Sequence, residues 1–283
     1  MRMKIYVFMK NSLKRTFAKR NYITFMLVFP IVLASLFVVV FSNMEVLEEQ
    51  GKMYELQEGL TKEEISSKIY SLSFLEPVKT VGDFSNPASQ IAATMLVFSI
   101  VFQSQHSLTQ VYYLRKNIGK RVLAAPVSKT SIYIGEFLGS LLVVLLEGIV
   151  VSVCLESFFG LGLSNHTGQL FVIILCCSMM ATAIGMAIGI VIKDEKVASS
   201  VVTILILVEG FISGGFTPGL ISFKESSSFS FFTYITQGIL DICRLGKVQD
   251  MGELMGITLG IGAAFLGLAT LWQLSNKEWG EGK

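Results

Sequence analysis

Long apolar stretches dominate the chain and alternate with short polar connections. A helix needs roughly 20 apolar residues to cross a hydrocarbon core of about 30 Å. Six stretches meet this length, and none of them contains a Lys or Arg. They are Tyr22–Phe41, Ile91–Tyr113, Ser131–Ser157, Gly168–Ile192, Val197–Phe216 and Met251–Trp272. The pattern predicts an all-α membrane protein with six transmembrane helices in one domain, residues 1–283.

Composition supports a membrane protein and excludes several other classes. Hydrophobic residues make up 52% of the chain and charged residues 16%, whereas an average soluble domain is about 25% charged. The net charge of +2 is too small for a nucleic-acid binder. With two His, no phosphate-binding loop and no C-x-x-C pair, the sequence predicts neither a catalytic site nor a metal site.

The distribution of charge predicts the orientation in the membrane. Residues 1–21 hold seven basic side chains and residues 114–130 hold five, with no acid in either segment, whereas residues 42–90 hold four Lys and nine acids. Because cytoplasmic connections collect Lys and Arg, we expect 1–21, 114–130 and both termini to be cytoplasmic. The acidic 42–90 loop is then extracellular, and we interpret it as a cap over the helices.

Two connections carry patterns of their own. In residues 1–21, an apolar stripe of Ile5, Met9, Leu13 and Phe17 runs through a basic segment, which predicts an amphipathic helix on the inner membrane surface. The alternative is a simple orientation signal. Residues 217–250 are half apolar but too short and polar to cross, which predicts re-entrant or interfacial helices on the outer face.

Acidic residues inside the apolar stretches are the candidate chemistry. Glu147 and Glu209 lie deep in the third and fifth stretches, and Glu136 and His106 lie at similar depths nearer the inner surface. A charged side chain at the membrane centre costs about 2.5–3.5 kcal/mol on insertion scales, so such residues mark transport pathways by default. The alternative is a neutral Glu that bonds two helices together.

Small residues recur every four positions in three stretches and predict close helix packing within the bundle. They are Cys177, Ala181, Gly185 and Gly189 in the fourth stretch, Gly252, Gly256, Gly260 and Ala264 in the sixth, and Gly135 and Gly139 in the third. A seam between two copies of the chain is the alternative.

Two short motifs resemble a known family. Residues 121–129 read RVLAAPVSK before the third stretch, and residues 216–219 (FTPG) and 232–246 (FTYITQGILDICRLG) follow the fifth. With the order of the apolar stretches, they resemble the permease subunits of ABC-2 type exporters. In that family an RLLATPVSR run forms the coupling helix that docks on an ATPase, and the later stretch builds outer re-entrant helices.

The resemblance implies partners, cofactors and site residues. It implies a separate ABC ATPase subunit that holds ATP and Mg, with no cofactor on this chain, and a homodimer or a heterodimer with a related permease in a bacterial cell membrane. It places ATPase coupling at Arg115, Lys120, Arg121, Val122, Leu123, Ala124 and Pro126. It places the outer re-entrant region at Pro218, Tyr234, Gln237, Asp241 and Arg244.

Three functions stay open on these observations. The first is the membrane half of an ATP-driven exporter of a drug, antimicrobial peptide, lipid or similar amphipathic substrate. The second is a carrier driven by protons or sodium through Glu147 and Glu209. The third is a membrane sensor built around the acidic outer loop.

Overall fold

A computed structural model describes residues 2–18, 28, 32, 87–115, 129–159, 162–213 and 230–275. Every regular element within these ranges is helical. The helices are α1 (Arg2–Ala18), α2 (Pro87–Phe102), α3 (Ser104–Tyr113), α4 (Lys129–Phe159), a 3₁₀ turn (Leu163–His166), α5 (Thr167–Val191), α6 (Glu195–Ile212), α7 (Phe231–Leu245) and α8 (Met251–Ser275). Most of the first predicted span and of the 42–90 loop, together with residues 116–128 and 214–229, lie outside the described residues.

Three of the predicted spans are confirmed as helices long and apolar enough to cross a membrane. They are Ser131–Ser157, Leu163–Val191 and Met251–Leu271. The helix at the fifth predicted span, α6, ends at Ile212, before the predicted end at Phe216. It begins at Glu195, where the Asp194 side chain accepts hydrogen bonds from the backbone N–H groups of Lys196 and Val197 and so caps the helix.

The second predicted span is not one continuous helix. It divides at Gln103 into α2 and α3, with the Gln103 N–H donating to the Ile100 carbonyl three residues earlier at 3.2 Å. A bond to residue i−3 tightens the chain into a turn and interrupts the α-helical ladder. The prediction of an unbroken helix over Ile91–Tyr113 is therefore wrong at this residue.

Helix α5 forms the centre of the bundle. Every residue from Met180 to Ile190 is buried, and α2, α3, α4, α7 and α8 all pack against this helix. At the periphery, α6 exposes a row of large apolar side chains at helical spacing, namely Val197, Val201, Ile204, Leu207, Val208 and Phe211. An apolar outer face of this kind is typical of a helix in contact with lipid.

The small-residue ridges have different environments. A Cβ atom added to Gly185 would lie 2.0 Å from the Ser104 carbonyl oxygen, so this ridge packs α5 directly against α3. Gly252, Gly256 and Gly260 have no described atom within 4 Å of an added Cβ. The α8 ridge thus has no packing partner among the described residues, because α8 turns Leu254, Thr258, Gly262 and Ala269 toward the described bundle. Its packing role stays a prediction.

A helix, α1, forms in the predicted basic segment, and its small polar side chains face the bundle. Ser12 and Thr16 are buried, whereas Phe17 of the predicted apolar stripe is 54% exposed, as expected of a side chain that contacts lipid. The small polar side chains are buried because α1 packs along α4. Gly135 and Gly139 leave space there for the Cβ atoms of Phe8 and Ser12, each 2.6 Å from the position an added Cβ would take.

Candidate functional site

An ion pair joins α1 to α4 at one end of the bundle, which we call the α1 end. The Arg15 Nη2 atom donates to both carboxylate oxygens of Glu136, at 2.5 and 2.6 Å. The Arg15 side chain is 17% exposed and that of Glu136 is 1% exposed. The guanidinium carbon also lies 4.6 Å from the centroid of the Tyr113 ring, at cation–π distance. Arg15 therefore contacts both helices that flank residues 114–130.

Polar contacts beside this pair connect α1 to α3. The Thr16 hydroxyl lies 3.4 Å from Nε2 of His106, and the Gln110 amide nitrogen donates to the same hydroxyl at 3.4 Å. The similar depths of Glu136 and His106 along the sequence would allow a contact between them. The structure gives Glu136 a cation from α1 as its partner and brings His106 to Thr16.

A second set of contacts at the α1 end involves Arg115, one of the predicted coupling residues. Its guanidinium donates to the carbonyl oxygens of Ile192 at 3.0 Å and Ile190 at 2.5 Å, at the C-terminus of α5. The Tyr112 hydroxyl donates to the Ile192 carbonyl at 2.6 Å. Burial lowers the pKa of the Arg115 guanidinium, but an arginine keeps its charge at physiological pH. The other predicted coupling residues, Lys120 to Pro126, lie outside the described residues.

Glu147 pairs with Gln103 in the middle of the bundle. The Gln103 amide nitrogen donates to the Glu147 carboxylate, whose residue is 6% exposed. Gln103 lies at the break between α2 and α3. The same residue that interrupts the helix therefore also hydrogen-bonds Glu147, the acid predicted to line a transport pathway. Glu147 therefore connects α4 to the junction of α2 and α3. This agrees with the alternative interpretation of this acid, in which it bonds two helices together.

Unpartnered polar atoms surround this level of the bundle. Some buried hydroxyls donate to carbonyls of their own helix, as Ser99 does to Leu96 and Thr258 to Leu254. Others, buried in the same way, have no hydrogen-bond partner, namely those of Ser104, Ser107, Ser140, Ser178 and Thr182. Buried polar groups without a partner are uncommon in folded proteins. They make the α3–α4–α5 contact more polar than packing alone requires.

The opposite end of the bundle holds the remaining candidates. Glu209 accepts a hydrogen bond from the Ser230 hydroxyl at 2.8 Å, which ties α6 to the start of α7. A cavity of about 320 Å³ lies between α7 and α8, and its lining includes Tyr234, Gln237 and Asp241. Asp241 also accepts from the Gln249 N–H at 3.2 Å. Pro218 and the side chain of Arg244 lie outside the described residues.

Several residues that build this site were not among the sequence candidates. They are Arg15, Thr16, Gln103, Gln110, Tyr112 and Tyr113. The one available signal was Glu136, a buried acid that required a cation, in a chain whose spans contain none. Within the ranges that the structure describes, no group of three or more His, Cys, Asp or Glu side chains is placed to hold a metal ion.

Comparison with known proteins gives one family match. The family model described as ABC-2 type transporter matches residues 3–243. This range begins inside α1 and extends into α7, so it includes both ends of the bundle. No curated protein and no solved structure shows a significant match to the chain.

Proposed function

The chain belongs to the ABC-2 type transporter family, and on this premise we propose that it is the membrane-spanning subunit of an ATP-driven exporter. A separate ABC ATPase supplies ATP hydrolysis, with ATP and Mg bound on that partner. The family match over residues 3–243 carries the proposal, and it favours ATP-driven transport over a carrier driven by protons or sodium.

The contacts at the α1 end support a role in coupling. Arg15 touches Tyr113 just before residues 114–130 and Glu136 just after them. Because Arg15 contacts both α3 and α4, a force applied to residues 114–130 would move these two helices together. We propose that the ATPase docks on residues 114–130 and that Arg121 is a main contact.

The remaining parts of the proposal follow from charge and family. We propose that the chain lies in a bacterial cell membrane with both termini in the cytoplasm and works as a dimer with itself or a related permease. The proposed cargo is amphipathic, a drug, an antimicrobial peptide or a lipid. The acids Glu147 and Glu209 would favour a cationic group on that cargo.

Affinity purification of the tagged chain in mild detergent tests the partnership. We expect a P-loop ATPase to co-purify and to hydrolyse ATP, because this chain lacks a phosphate-binding loop. The proposal is wrong if the purified chain alone transports its cargo across a vesicle membrane along an ion gradient.

The variant Arg121→Glu tests the docking segment. We expect it to reach the membrane at normal levels while ATP-dependent export falls roughly 30-fold, because breaking an interfacial charge pair costs about 2 kcal/mol or more. The matched control is Lys68→Glu, the same charge reversal in the predicted outer loop. Export by Arg121→Glu at the level of this control would remove Arg121 from the coupling mechanism.

A further inference from the structure

Arg115 and Tyr112 both bind the turn between α5 and α6. Both side chains donate to backbone carbonyls. Arg115 donates to Ile190 at 2.5 Å and Ile192 at 3.0 Å, and the single Tyr112 O–H is shared between the carbonyls of Ile192 at 2.6 Å and Asp194 at 3.2 Å. The Arg115 guanidinium carbon also lies 5.3 Å from the centroid of the Tyr112 ring. Two neighbouring side chains thus bind one turn of backbone.

These contacts satisfy groups that the helix cannot satisfy itself. The last four carbonyls of an α-helix have no partner within the helix, and the partial negative charge at a C-terminus favours a cation there. Here the cation comes from another helix rather than from α5. The bonds therefore tie the end of α3 to the end of α5, and through Asp194 to the N-cap of α6.

The backbones of α3 and α5 are in close contact between Ser104 and Val111. An added Cβ on Gly185 would lie 2.0 Å from the Ser104 carbonyl oxygen, and one on Gly189 would lie 3.2 Å from the Val111 Cβ. Backbones in such contact cannot shift separately without opening a gap or a clash. Beyond Val111, the end of α3 contacts the α5–α6 turn through the side chains of Tyr112 and Arg115.

We propose that Arg115 is a positioning residue that transmits movement of the 114–130 segment to the α5–α6 turn, residues 192–194. This differs from the sequence-based prediction, in which Arg115 contacts the ATPase. Its guanidinium is held by α5, so its role in coupling is to carry the ATPase-driven movement across the bundle. The inference rests on the proposed function, because the movement begins with the docked ATPase.

Cysteine labelling beside the turn tests this proposal without knowledge of the cargo. Lys196 is exposed at the first turn of α6, so Lys196→Cys in a chain whose four cysteines are replaced gives a single reporter. Labelling by a water-soluble maleimide is measured on the complex with the ATPase, with and without ATP and vanadate. We expect ATP to change the rate by about fivefold or more, the low end of typical allosteric coupling factors.

The variant Arg115→Ala should keep the ATPase bound but reduce this response to less than about twofold. Arg115→Lys should give an intermediate response, because lysine keeps the charge but not the forked geometry. Lys10→Ala, at an exposed position on α1, is the control and should respond like the parent.

Two results would overturn the proposal. If Arg115→Ala retains the full response to ATP, the turn receives its movement by another route. If Arg115→Ala prevents co-purification of the ATPase, Arg115 is a docking contact and not a transmitter. If no ATPase co-purifies with the parent chain, the proposed function itself fails, which separates that outcome from both others.

Discussion

Breaking the Arg15–Glu136 pair should destabilise the fold far more than breaking an exposed pair. Two unit charges at about 4 Å attract by about 4 kcal/mol at an effective dielectric of 20, before the cost of desolvation. Removing one partner of a buried pair typically costs about 3–5 kcal/mol, because the other charge is left buried. Glu136 is 1% exposed, whereas Arg15, at 17%, is closer to water.

The asymmetry in burial gives a specific order of effects. Arg15→Met keeps most of the aliphatic part of the side chain but leaves the Glu136 carboxylate without its partner. We therefore expect the free energy of unfolding to fall by about 3 kcal/mol. Glu136→Leu leaves the guanidinium, which lies closer to solvent, without its partner, so we expect the free energy of unfolding to fall by about 1–2 kcal/mol, in the range for a partly buried donor without an acceptor. The double variant replaces the pair by two apolar groups and should lose less than the sum, with a coupling energy of at least about 2 kcal/mol.

Unfolding in detergent micelles titrated with sodium dodecyl sulfate, followed by far-ultraviolet circular dichroism, provides the free energies. Lys14→Met is the control, because Lys14 is an exposed cation on the same helix and its loss should change stability by less than about 0.5 kcal/mol. A coupling energy below about 0.5 kcal/mol, the value typical of exposed pairs, would refute the argument that this ion pair stabilises the packing of α1 against α4.

Two further predictions use matched variants. Gly185→Val should lower the apparent melting temperature and the folded yield, because its Cβ would lie 2.0 Å from the Ser104 carbonyl oxygen. The control Gly256→Val has no described neighbour and should melt like the parent; equal melting temperatures for the two variants would contradict the prediction. Glu147→Gln and Glu209→Gln should impair export without lowering expression. The control Glu253→Gln changes an exposed acid at the start of α8 and should leave export unchanged; normal export by Glu147→Gln and Glu209→Gln would make these two acids purely structural.

The helices were predictable because the signal for each one is local. An apolar run of sufficient length identifies a spanning helix without any knowledge of its neighbours. The start of α6 was also within reach of the sequence, since Asp194 precedes an apolar run and Asp is a favoured N-cap residue. The general arrangement of an all-α membrane protein follows from such local signals.

The break at Gln103 and the site itself were not predictable in this way. A single Gln in an apolar run has no strong tendency to end a helix, and its partner Glu147 is 44 residues away. Arg15 and Glu136 are 121 residues apart. One sequence shows that a buried acid needs a partner, but it does not show which helix supplies that partner.

The two arginines contact different faces of α3 at the α1 end of the bundle. Tyr113 and Tyr112 are adjacent in α3 and therefore point in directions about 100° apart around the helix. Tyr113 meets Arg15, which binds α4, while Tyr112 meets Arg115, which binds the end of α5. Because both arginines contact α3, a displacement of α3 together with α5 changes the contact of Arg15 with Tyr113, while the hydrogen bonds of Arg115 hold the end of α5 to the end of α3. The break at Gln103 ends the continuous helix between α2 and α3, so such a displacement does not require α2 to move with α3 as one rod.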